Sequence, residues 1–117
     1  MNVVVLQGKL SSEPQERTLR SGAQLVTYEV TTREADGPAR SVPVAWFDPG
    51  RRAPTVGEGD EVTVVGAVAR RFFRTGAATA SRTEVVADVV LPTRRRAAVR
   101  TVVERALDDL SRASEAD

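Results

Sequence analysis

The chain has 117 residues, 41% hydrophobic and 28% charged, with a net charge of +1. This is enough for one domain of ordinary size with a buried core. There is no cysteine and no histidine, which excludes disulfides, thiolate nucleophiles and metal held by either residue, and removes the commonest general base.

Lys9 is the only lysine among 17 basic residues; the others are arginine. Arginine offers a planar fork to phosphate and a flat face to bases. A GC-rich coding sequence would produce the same bias. Met1 to Leu10 is apolar but too short, and too uncharged at its start, for a signal peptide. No run of about 18 apolar residues is present, so no membrane span is expected. A cytoplasmic location is the simplest expectation.

Asn2 to Leu10, rich in Val and Leu, reads as a strand that ends at Ser11-Ser12-Glu13-Pro14. Ser21-Gly22 marks a turn. In Gln24 to Arg33, Val26, Tyr28 and Val30 share one face and Thr27, Glu29 and Thr31 the other. Asp36-Gly37-Pro38 is a loop tip. Ser41 to Phe47 is a third strand with Val42, Val44 and Trp46 on one face, and Pro43 inside it suggests an edge or a bulge.

Asp48 to Gly59, with two prolines and three glycines, reads as a loop. Asp60 to Phe73 is the longest strand, with Gly66 at a sharp bend. Thr75-Gly76 is a hairpin tip, and Ser81 to Leu91 is the fifth strand. Five strands with no intervening helix predict an all-β, antiparallel barrel over residues 1–91. After Pro92 the period changes: Val99, Val103, Ala106, Leu107 and Leu110 recur at helical spacing. Residues 92–117 are therefore expected to form an amphipathic helix from Thr93, a candidate N-cap, to about Ser111. A frayed end should follow from Ala113 to Asp117.

The order of these signals resembles that of bacterial single-stranded DNA-binding proteins. Val3 to Leu10 is similar to their opening strand, and Glu13-Pro14, Arg17 and Ser21-Gly22 to their first turn. Gly59-Asp60-Glu61-Val62-Thr63-Val64-Val65-Gly66 and Thr83-Glu84-Val85-Val86-Ala87 resemble the fourth and fifth strands. The resemblance implies a five-stranded antiparallel OB barrel, assembled as a homotetramer or homodimer. It also implies binding of unpaired DNA with little sequence preference, in replication, repair or recombination.

Trp46 and Phe73 would then occupy the stacking positions. For Trp46 the residues themselves leave two readings open. The Val42–Val44 face argues for the core; the resemblance, with a bulge at Pro43, argues for DNA. Trp46 is kept here as a DNA contact. Tyr28, on an apolar face, reads as core.

Arg70, Arg71 and Arg74 bracket Phe72-Phe73, an interleaving that suits a groove tracking phosphates and stacking bases. Arg33 and Arg40 lie in loops and extend the candidate groove. Residues 1–91 hold as many acidic as basic side chains, so a positive face requires segregation.

The family's further aromatics, its helix between the third and fourth strands and its acidic, Pro-Phe-ended tail have no counterpart here. Recruitment of partner enzymes is therefore not carried over, and the pattern is that of a divergent or accessory member. No catalytic constellation, metal cluster or cofactor motif is present: Gly57-Glu58-Gly59-Asp60 lacks the Lys-Ser or Lys-Thr of a phosphate loop. The alternative expectation is a protein–protein adaptor on the same barrel, assembling through the C-terminal helix with weak or no nucleic-acid binding. RNA is a further ligand that such surfaces accept.

Overall fold

Strands supply most of the regular secondary structure. The computed structural model describes residues 1–115. Its elements are β1 (Val4–Leu10), β2 (Gln15–Thr18), β3 (Gln24–Arg33), β4 (Ala39–Phe47), a 3₁₀ turn (Gly50–Arg52), β5 (Glu61–Thr75), β6 (Ala78–Pro92) and α1 (Arg96–Glu115). The strands form one sheet in the order β1-β5-β6-β4-β3-β2, and β1 also pairs β3 through Lys9↔Thr31 and Leu10↔Val30. The pairings of the five longer strands thus run round a ring. All are antiparallel except β4–β6, which is parallel over Val44↔Val85 and Ala45↔Val86.

The apolar faces meet inside this ring. Leu10, Val26, Tyr28, Val30, Val44, Trp46, Val62, Val64, Val85, Ala87 and Val90 form one buried cluster. Arg52, carried by the 3₁₀ turn, stacks 5.4 Å from the Trp46 ring and covers that end of the core. No helix among the described residues is long and apolar enough to cross a membrane.

Several expectations need correction. There are six strands, not five: Gln15–Thr18 pairs with β3, although all four residues are exposed and show no alternation. Pro43 makes no bulge, because the β3–β4 register is unbroken from Leu25↔Phe47 to Arg33↔Ala39. The Asp48 amide donates to the Gln24 carbonyl at 2.7 Å, so the alternation of antiparallel pairs leaves Glu29↔Pro43 as a pair that exchanges no hydrogen bond. On its other side β4 begins pairing only at Val44. The missing Pro43 N–H therefore costs no ladder bond.

The Asp48 to Gly59 segment contains the 3₁₀ turn rather than loop alone. The β5–β6 hairpin is tighter than expected, since Thr75↔Ala78 leaves only Gly76 and Ala77 in the turn. Gly76 at φ 60° supplies the positive φ that the first position of such a turn requires. The helix starts at Arg96, not Thr93. Thr93 belongs to the sheet's end, its Oγ 2.8 Å from that of Thr63 and its amide donating to the Glu61 carbonyl. The helix continues to Glu115; the rest of the expected frayed end lies outside the described residues.

Gly66 marks a register shift between β5 and β6, which leaves Asp88 unpaired between Ala87 and Val89. A Cβ at Gly66 would collide with the Val86 carbonyl oxygen and stand 2.9 Å from the Ala87 Cα, both backbone atoms that cannot swing away. Gly66→Ala is expected to cost about 1–3 kcal/mol, as overpacking does. A lowered urea midpoint at unchanged slope checks this.

Tyr28 is 2% exposed, and its hydroxyl has no hydrogen-bond partner among the described residues. Burial, and secondarily the Glu16 carboxylate, pushes its pKa up from 10.0 to about 12. The unfolded chain therefore releases this proton at a lower pH than the folded chain. Its contribution to stability is full below pH 10 and falls as the pH climbs toward 12. Tyr28→Phe should abolish that alkaline decline while changing stability at neutral pH little, since no hydrogen bond is lost. Tyr28 is the only tyrosine, so tyrosinate absorbance follows it alone.

Candidate nucleic-acid interface

The unbroken β3–β4 register decides which aromatic of β4 faces outward. Val42, Val44 and Trp46 alternate toward the core, and Trp46 is 1% exposed. Trp46 is therefore a core residue and not a surface stacker, a correction that follows from strict alternation without a bulge. Its neighbour Phe47 takes the outer face and is 38% exposed. The residues themselves carried this signal: the Val42–Val44 face that argues for a buried Trp46 requires an outward Phe47.

The second contribution comes from the β5–β6 hairpin. The register shift between Val65 and Gly66 is a β-bulge, which bends the two-stranded ribbon, and from Val68 on the hairpin is mostly exposed. Phe72 is 67% and Phe73 40% exposed, and as adjacent strand residues they point to opposite faces. Phe73 shares its face with Arg71.

Arg71 links the two contributions. Its guanidinium carbon lies 5.9 Å from the centre of the Phe47 ring. Its Nε stands 3.0 Å from Glu84 Oε1, without the alignment of a hydrogen bond, and its Nη2 donates to Oε2 at 3.5 Å. Glu84 itself is only 4% exposed. Beside this pair, Arg82 holds Glu29 at 2.9 Å, and Glu29 also accepts from the Ser41 hydroxyl at 2.9 Å.

An open groove of about 690 Å³ runs between β2–β3 and the curved hairpin. Leu25, cross-strand from Phe47, is buried in its floor beside Thr27, and Phe72, Phe73 and Arg74 form the far wall. Four arginines line it: Arg17, Arg71, Arg74 and Arg82. Three carboxylates offset them, Glu16 in the lining and Glu84 and Glu29 as the partners of Arg71 and Arg82. Arg17 and Arg74 enter no ion pair among the described residues.

Of the residues singled out from sequence, Phe73, Arg71 and Arg74 come together here. Arg70 is exposed but lies outside the groove lining, on the opposite face of β5 from Arg71. Arg33 and Arg40 are exposed at the far end of the β3–β4 hairpin. Eight residues of strand, about 26 Å, separate Arg33 from Leu25. Sequence reasoning missed Phe47, Arg17, Arg82 and Leu25. Among the described residues no group of three or more Asp or Glu side chains converges as metal ligands do.

No protein-family model matches the chain, and no curated protein matches it significantly.

Proposed function

We propose that this chain binds single-stranded DNA with little sequence preference, on an OB-type barrel, in the handling of unpaired DNA during replication, repair or recombination. With β2 set aside as a short side strand, five strands pair in a ring, which fits the five-stranded, partly open OB barrel. The observation that carries the reading is the outward Phe47–Arg71–Phe73 surface beside an open, arginine-lined groove. Exposed rings stack on any base, because every base has a π face, and a groove of this kind tracks a flexible single strand.

The ion pairs set the expected strength of phosphate attraction. Arg71 and Arg82 already face carboxylates, so Arg17 and Arg74 carry the free charge. A second reading, assembly through α1, has its own observation: Leu107 and Leu110 are 58% and 40% exposed on the helix.

Labelled dT oligomers, titrated at about 50 mM salt where phosphate contacts are strongest, test the first reading by anisotropy. Phe47→Ala and Phe73→Ala should each cost about 1–3 kcal/mol of affinity, with circular dichroism unchanged because both rings are exposed. Emission of the buried Trp46 should barely change on binding. No anisotropy change in the parent chain, or parent-like affinity in both variants, would overturn the reading.

The salt dependence provides a second, independent measurement. With two unpaired arginines meeting phosphate, the slope of log K against log salt should be about −1.4. Arg74→Ala should make it shallower by about 0.7.

A further inference from the structure

The helix α1 covers the sheet with only part of its apolar stripe. Ala106 is its one buried residue, and it faces the sheet together with Val102, opposite Val65 and Gly66. About a quarter turn round the helix, Val103, Leu107 and Leu110 form a second line at i, i+4 and i+7. Val103 is half-buried, and the two leucines are exposed. A line at this spacing is the seam by which helices pair.

The charges along this line say what covers it. Arg96 and Arg100 extend it toward the helix N-terminus, and Ser114 with Glu115 beside it toward the C-terminus. Arg100 and Glu115 lie about 11 Å on either side of Leu107. Among the described residues neither enters an ion pair. A parallel second helix would set Arg96 and Arg100 against their own copies, like charge on like. An antiparallel one, centred on Leu107, brings Arg100 of each copy to within one residue's rise of Glu115 of the other, and Val103 to within one of Leu110.

We propose that α1 pairs antiparallel with the α1 of a second copy of this chain, the two related by a two-fold axis passing near Leu107. The surface is self-complementary, which is what an isologous dimer requires. The inference stands apart from the nucleic-acid reading, since its readout is mass and cross-linking and not DNA affinity.

Sedimentation of the full chain between about 10 and 500 µM, a range suited to a small and therefore weak interface, should show a monomer–dimer equilibrium. Leu107→Glu should abolish the dimer. Arg100→Glu should weaken it about tenfold through two lost pairs and two new repulsions, and adding Glu115→Arg should restore it. The parent chain has no cysteine, so single substitutions report geometry cleanly. Leu107→Cys should cross-link on mild oxidation, whereas Val103→Cys and Leu110→Cys should cross-link when mixed and not alone. A monomer throughout the range overturns the proposal. So does a dimer indifferent to Leu107→Glu, failure of the double charge reversal to restore it, or cross-linking of Val103→Cys and Leu110→Cys each with itself.

Discussion

β1 has to serve two neighbours, and the rest of the molecule depends on that constraint. It pairs β5 from Val4 to Lys9 and turns to β3 at Lys9 and Leu10. Such a transition forces backbones close together. At Gly8 a Cβ would collide with the Thr31 carbonyl oxygen, so only glycine leaves room for β3 to approach. Gly66 solves the same problem where β5 bends against β6. Closing the ring gives the inward faces of all five long strands one shared interior, and the buried valines gain their stabilisation by leaving water together.

The proposed stacking surface follows from that closure. Once the inner face is committed to the core, alternation leaves Phe47 outward on β4 and Arg71 and Phe73 on one face of β5. The length of the hairpin then carries Phe73 past the body of the sheet to form the groove's far wall. Glu84, buried beneath Arg71, holds the guanidinium against the Phe47 ring. A buried carboxylate needs a counter-charge, and this one ion pair supplies it to Glu84 while orienting the cation.

The distribution of charge is as informative as its sum. Two groove arginines are spent on internal carboxylates, and two remain open to solvent. On the proposed reading, binding rests more on stacking than on phosphate attraction, in keeping with a net charge of only +1. The helix repeats the theme in one dimension, with arginines toward its start and carboxylates among its later residues, Asp108, Asp109 and Glu115.

Much of this was legible in the residues alone. The long strands, the apolar face of β3 with Tyr28 inside it, and the change to helical period after Pro92 are local patterns with periods of two and 3.6, and local patterns survive without tertiary information. Phe47 was legible too, had the alternation through Pro43 been followed without assuming a bulge. What only the tertiary structure decided is how distant segments meet. β2 has no apolar face of its own and exists because β3 offers it an open edge. Arg71 and Glu84 are 13 residues apart, and Arg82 and Glu29 are 53. Arg17 and Arg74 share a groove only because the hairpin curls over β2. These pairings arise from ring closure and strand curvature, three-dimensional constraints that leave no period in the chain.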